Sequence, residues 1–392
     1  MKTIIISMWA MLAGAPLFAR NSVSTVLTAI EENNTTLKAL RETADAQKLG
    51  NKTGIYLSNP EADFNYLWGK PGETGNRTDI SVKQNFDIPA LTGMKSRVAG
   101  GQNNLVELQY KADRINILLE AKQYCIELIY CNALRRELDV RLKHAETMVE
   151  GYKSRLDSGD VNRLEYNKVR LNLSTVQGEI SRIDVERNAL LAQLKRLNGG
   201  IDVVLDDHRY GSISLPVNFD EWYAQAAPKN PALEYARQEI EVGKKQVSLS
   251  RAMNLPAFSA GYMSEKVVGQ RYQGLTLGVS IPLWENKNRV KQAKASLTAA
   301  ESRESDSRKQ FYSQLQILYS RTAGLKATSE KYRQSLEEVN NAELLKKALD
   351  AGEISLLDYI LEIGLYYNTV NQTLETERDY QKAFAELLAV EL

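Results

Sequence analysis

The chain repeats itself at a nearly fixed offset, and no other feature limits its fold as much. Leu156-Asp-Ser-Gly159-Asp-Val161-Asn-Arg-Leu164-Glu-Tyr166 recurs as Leu349-Asp-Ala-Gly352-Glu-Ile354-Ser-Leu356-Leu357-Asp-Tyr359, 193 residues later. Phe86-Asp-Ile88-Pro89 and Val279-Ser-Ile281-Pro282 share that offset, while Pro60 to Tyr66 against Pro256 to Tyr262, and Asn34…Leu37 against Asn230…Leu233, are shifted by 196. Two copies of one unit follow, each ordered as helix, two strands, long helix, turn, long helix.

Charge bounds the partners. Lys plus Arg number 50 and Asp plus Glu 49, leaving a net charge of +1. With no basic stripe interleaved with aromatics, nucleic acid is excluded as a partner. Lys2, the apolar stretch Ile4–Phe18 and the small residue Ala19 read as a secretory signal over 1–19. Cys125 and Cys131, six apart on one predicted helix, lie on different faces and outside disulfide reach; both are expected to be buried thiols. After the signal, no apolar run approaches the length of a spanning helix. Any membrane contact must therefore be made by strands.

The strands have the alternation for it. Phe64, Tyr66, Val82, Phe86 and Ile88 in the first copy, and Leu275, Leu277, Val279 and Ile281 in the second, alternate with small or polar residues, and the repeat offset preserves their parity. Such segments fit a membrane barrel whose outer face meets lipid and whose inner face is wet. Trp68, Tyr272 and Trp284 sit toward the strand ends, where an interfacial girdle needs aromatics. A four-stranded sheet has two open edges, which lipid does not tolerate. Three copies supply twelve strands and can close, so spanning strands require a homotrimer. The other reading is a pair of water-soluble hairpins covering a helical core.

The expected layout is a first repeat over 20–199, a connector over 200–229 and a second repeat over 230–392. Strands are expected at about 55–68, 77–89, 256–267 and 271–284, and long helices at about 91–156, 161–198, 288–350 and 355–390. The return helices carry seams of coiled-coil spacing: Val169, Leu173, Val176, Ile180, Ile183, Leu190, Leu194 and Leu197, then Leu356, Ile360, Ile363, Tyr367, Val370, Leu374, Phe384 and Leu388. The outgoing helix of the second copy has no apolar residue between Glu301 and Gln310. Gly159 and Gly352 end the outgoing helices, and Asp160 or Asn162, and Ser355, cap the return ones. The fold class is mainly α with a β-barrel part.

The Pro-punctuated hairpins, the run Val279-Ser-Ile-Pro-Leu-Trp284-Glu-Asn-Lys-Asn288 leading into a helix, and the tip ending at Tyr359 together resemble the TolC-like outer-membrane efflux protein family over nearly all of the mature chain. The resemblance implies a homotrimeric conduit, with a twelve-stranded barrel among outer-membrane lipid and an α-helical tunnel in the periplasm of a Gram-negative bacterium. The implied partners are a periplasmic adaptor (membrane-fusion) protein and an inner-membrane efflux pump of the RND type. The position matching the family's tip aspartate is Asp358; its second acidic position falls on Leu361, and Glu362, one turn after Asp358, takes its place. Asp358 and Glu362 are thus candidates for the tunnel constriction, the other reading of Asp358 being an exposed carboxylate at a helix start. Gly159, Asp160, Val161, Gly352, Glu353, Ile354, Ser355 and Leu356 are candidates for adaptor docking; alternatively Val161 and Ile354 staple their own turns.

No P-loop, nucleophile elbow, metal-ligand spacing or dinucleotide fingerprint occurs. Asp206-Asp207-His208 reads as a solvated turn rather than a metal site. Neither catalysis, cofactor nor metal is expected. The function so read is a passive exit duct of a tripartite efflux system; the alternative is a periplasmic coiled-coil adaptor or scaffold without a pore.

Overall fold

The computed structural model describes residues 22–86, 89–339 and 342–392. The expected signal segment, and Ile88 among the expected lipid-facing residues, lie outside them. The elements run α1 (Val23–Asn33), α2 (Thr35–Gly50), β1 (Glu61–Leu67), β2 (Arg77–Phe86), α3 (Pro89–Asp157), α4 (Arg163–Leu197), α5 (Phe219–Ala226), α6 (Pro231–Ala252), β3 (Ala257–Val267), β4 (Gln270–Ser280), α7 (Arg289–Glu338), α8 (Ala342–Asp350) and α9 (Leu356–Leu387). They form two compact units: 22–33 with 121–211, and 34–120 with 212–392.

In the first unit α1, the later part of α3 and α4 pack by apolar seams. Val169, Val176, Ile183, Leu190 and Leu197 recur every seven residues along α4, and all are buried. That spacing holds one face of a helix against a neighbour along its whole length. Cys125 and Cys131 are buried thiols of α3, and burial alone pushes the Cys125 thiol up to about 12. Asn33 donates to Asn198 at 3.0 Å, fastening the end of α1 to the end of α4.

In the second unit all four strands form one antiparallel sheet of order β1-β2-β3-β4. The hairpins of the two copies are thus joined side by side through β2 and β3. Asn34 and Asn230, equivalent in the repeat, cap α2 and α6 by accepting from the N–H groups of Leu37 and Leu233 at 2.8 and 3.0 Å. Along α9, Leu356, Ile363, Val370 and Phe384 form one buried row and Tyr359, Thr373, Tyr380 and Leu387 another. The facing helix α7 buries Ala293, Ala300, Leu315, Thr322 and Ser329 instead. Small residues let two backbones approach closely, which is why α7 lacks a leucine seam yet still packs. Arg41 and Lys48 of α2 both donate to Glu107 of α3, at 2.9 and 2.6 Å, and Arg41 also stacks over the Tyr110 ring.

Three expectations need correction. The outgoing helix expected over 288–350 is two helices: α7 ends where Val339 leaves helical geometry (φ −121°, ψ 53°), and α8 starts at Ala342. A β-branched residue before Asn340-Asn341 is a weak helix former, since asparagine amides compete for the backbone. The connector is not irregular throughout. Trp222 and Tyr223 lie on α5, whose Phe219 packs against Tyr312 and Tyr319 of α7, ring centroids 5.4 Å apart in both cases. A shift of 196 lays the start of α5 on the start of α1, so the repeat unit begins with this helix. Finally, β1 starts at Glu61 rather than near 55, just after Pro60, and β4 ends at Ser280 rather than 284 because Pro282 has no N–H to give a ladder. Ile281 is therefore exposed beyond the strand, not within it.

Candidate functional site

The register decides which residues share a face of the sheet. Phe64 lies opposite Ile80, Val82 opposite Tyr262, Phe86 opposite Phe258, and on β4 Leu275, Leu277 and Val279 lie opposite Tyr262, Ala260 and Phe258. Directly paired residues point to the same side of an antiparallel sheet. Phe64, Tyr66, Val82, Phe86, Leu275, Leu277 and Val279 consequently occupy one surface, joined by Ile80, Phe258 and Tyr262. These last three are apolar residues on β2 and β3 that the sequence reading left off its site set, although strict alternation with their neighbours marks them.

None of the seven is buried, and Leu275 and Leu277 are each 86% exposed. On the other side lie Asp63, Asn65, Arg77, Asp79, Ser81, Lys83 and Glu265. There Arg77 pairs with Asp79 at 2.8 Å and Glu265 at 3.2 Å, and Ser81 donates to Asp63. A contiguous apolar surface of this extent is not left to water in a soluble monomer. The edges β1 and β4 have unpaired flanks. Val268 and Gly269, with φ of 47° and 82°, make the tight turn between β3 and β4. At the first hairpin, Trp68 packs edge-on against Tyr66 at 5.5 Å.

The tips are built alike. At the end of α3, Gly159 has φ +84°, its N–H reaches the Leu156 carbonyl at 3.1 Å, and the Asp160 N–H reaches the Arg155 carbonyl at 2.8 Å. At the end of α8, Gly352 has φ +74° with Gly352 bonded to Leu349 and Glu353 to Ala348, at 3.0 and 2.9 Å. Both are Schellman closures, which need the left-handed backbone glycine supplies. Asn162 and Glu165 then form a reciprocal capping box, at 3.0 and 3.2 Å.

In the second tip the Ser355 hydroxyl accepts from the Asp358 N–H at 3.2 Å and donates to the Asp358 carboxylate at 2.6 Å. Asp358 therefore works locally as part of a helix cap, and it is exposed, as is Glu362. Asp160, Glu353 and Ser355 are exposed, and Val161 and Ile354 are half-buried. Leu356 does not join the exposed group: its side chain is buried in the seam of α9. The leucines that α9 leaves exposed are Leu357, Leu361 and Leu365, one turn apart; their spacing was legible in the sequence. Tyr359 is 1% exposed, and burial holds its hydroxyl proton well above the usual tyrosine range.

The Asp206–His208 segment is not a solvated turn. Asn132 of α3 donates to the Leu205 and Asp207 carbonyls at 2.9 and 3.0 Å, and Arg136 contacts the His208 ring nitrogen. Asn132, Arg135, Arg136, Asp139, Asp184, Arg187, Asp206 and His208 line an open cleft of about 330 Å³. Three guanidinium groups among these side chains oppose a cation, and among the described residues no group of three or more His, Cys, Asp or Glu is placed to hold a metal. No described helix is long and apolar enough to cross a membrane.

Comparison with known proteins fits this arrangement. Residues 222–390 match the family model of the outer membrane efflux protein. The Pseudomonas aeruginosa alkaline protease secretion protein AprF is 25% identical over 238 residues, 56% of this chain and 49% of that protein; the chain spans about half the length of this curated relative. The Campylobacter jejuni CmeC outer membrane channel has the same fold, with a TM-score of 0.72 at 16% identity over 94% of this chain and 85% of that one. So has the Neisseria gonorrhoeae MtrE outer membrane channel in its open state, at 0.76 and 12% identity over 94% and 88%. The resemblance drawn from the sequence is borne out over 222–390, where the outer membrane efflux protein model matches, and across both repeats the likeness to the solved outer membrane channels is one of fold.

Proposed function

We propose that three copies of the chain close a twelve-stranded barrel in the outer membrane, β1 of each pairing with β4 of the next, and that the helices prolong it into the periplasm as a passive exit duct. The observation that carries this reading is the sheet: one exposed apolar face, one charged face and two open edges. Strands β2, β3 and β4 have 10, 11 and 11 residues, the length a tilted membrane strand needs. A pore-free periplasmic adaptor would have no use for the apolar face. On this reading the chain supplies passage and not chemistry.

The drive would come from an inner-membrane pump of the RND type, coupled through a periplasmic adaptor that grips the glycine tips at Gly159, Asp160 and Val161 and at Gly352, Glu353, Ile354 and Ser355. Threefold symmetry would gather Asp358 and Glu362 into an acidic constriction that slows anions and concentrates cations. In a tripartite pump of this kind the cargo is set mainly by the pump. A second reading, a duct for a secreted protein, is favoured by the match to AprF, itself named as a secretion protein. The test is to purify the chain from outer membranes in detergent, weigh the native assembly and add it to a planar bilayer. A trimer with stepwise conductance is expected; a monomer extracted without detergent, or a trimer that never conducts, would refute the duct.

A further inference from the structure

The chain is electrically balanced as a whole, yet the places where helices meet the sheet carry a cationic excess. Residues 46–60 carry two Lys, 89–106 a Lys and an Arg, 242–264 two Lys and an Arg, and 286–300 three Lys and an Arg, none of these stretches containing Asp or Glu; the acidic residues in the links from strand to helix are Asp87 and Glu285. All four stretches belong to the same unit. Beyond the opposite end of the sheet the charges are mixed: Lys70 pairs with Glu73, and Glu265 pairs with Arg77.

Local ion pairing accounts for part of the cationic set, since Lys48 meets Glu107 and Lys244 meets Glu241. It does not account for the last stretch. Lys287, Lys291 and Lys294 are exposed at the start of α7, the end of a helix where its own dipole disfavours positive charge. Beside them the exposed Leu283 and Trp284 prolong the apolar face past the end of β4, and exposed Tyr56 and Leu57 do the same before β1.

An apolar surface passing through an aromatic edge into a predominantly cationic collar matches the boundary between acyl chains and anionic headgroups. We propose that this collar binds the phosphate-bearing headgroups of anionic phospholipids in the periplasmic leaflet, fixing the depth and direction of the barrel. This rests on the membrane-spanning reading of the sheet. Long lysine stems can lie along the apolar surface while the ammonium reaches the headgroups, and the mixed charge at the other end gives the chain a defined orientation.

The purified full chain is diluted from detergent onto vesicles of phosphatidylcholine alone or mixed with phosphatidylglycerol, and the membrane-embedded fraction is measured. Insertion is expected into both, with a preference for the anionic vesicles that declines as salt is raised. Each charge removed in Lys287→Gln, Lys291→Gln and Lys294→Gln should cut that preference about fivefold, whereas Lys309→Gln with Lys331→Gln, farther along α7, leaves it unchanged. Equal insertion of the unaltered chain into both vesicles, or a preference that survives the triple change, overturns the collar while leaving the barrel standing. Selective loss of the preference in inorganic phosphate, at ionic strength matched with chloride, would mean a free-anion pocket and also overturn it. Insertion into neither vesicle removes the spanning sheet itself.

Discussion

Leu275 is the middle residue of β4, an 11-residue strand, and 86% of its surface is exposed. At roughly 3.3 Å per residue and a tilt near 45°, such a strand rises about 25 Å, the height of a barrel's apolar band. Leu275 would then sit near the bilayer midplane. Replacing it with arginine should cost about 2–4 kcal/mol per chain there, and a trimer carries the change three times. If the same face met water, a substitution at so exposed a site would stay within about 0.5 kcal/mol.

The two outcomes differ by a factor of about 10 or more in the inserted population of each chain. The assay is the fraction of heat-stable trimer recovered from outer membranes for Leu275→Arg beside Thr276→Arg, its neighbour on the opposite face. Loss of trimer for the first and near-native recovery for the second is expected. Equal recovery of both would refute the assignment of the faces.

Glu107 is held down to about 2, first by hydrogen bonds from Arg41 and then from Lys48. Its folded value lies below the unfolded 4.5, so its contribution is present above that value and is lost as pH falls from there toward 2. With Glu107 and Arg41 each about a third exposed, solvent screening leaves roughly 1–2 kcal/mol; the thermal midpoint of Glu107→Gln should fall below the native one at pH 7, the gap closing near pH 2. Gly352→Ala meets no steric obstacle but forces a side chain into φ +74°, which should cost about 1–2 kcal/mol; faster proteolytic nicking confined to the second tip is the expected sign. Tyr359→Ala empties the seam of α9 beside that tip and should destabilise by about 3–5 kcal/mol, read from chemical unfolding. Cys125 and Cys131 should ignore maleimide in the native protein and react on unfolding; native labelling would contradict their burial.

The repeat, the strand parity and the leucine-bearing seams were legible because each is a periodicity carried by large apolar side chains. The packing of α7 was not, since Ala293, Ala300, Thr322 and Ser329 hold it through close backbone approach and give no hydropathy signal. The division near Val339 was also hidden, because a weak helix former lowers helical stability without marking a stop. At the tips, the glycines and caps followed from local backbone chemistry alone, whereas the burial of Leu356 and exposure of Leu357 depended on how α9 is rotated, which neighbouring leucines cannot settle. The strap at Asp206–His208 looked like a turn in sequence because its fastenings, Asn132 and Arg136, come from a helix some 70 residues earlier.

The alternation of β4 between lipid and water is open to direct measurement. Nitroxides are placed singly at each position from 273 to 279, with the buried native thiols left unlabelled, and the reconstituted protein is scanned for collision with oxygen and with a water-soluble nickel chelate. Oxygen contact should peak at 275, 277 and 279 and nickel contact at 274, 276 and 278. Nickel contact at every position, with no period of two, would contradict a spanning sheet.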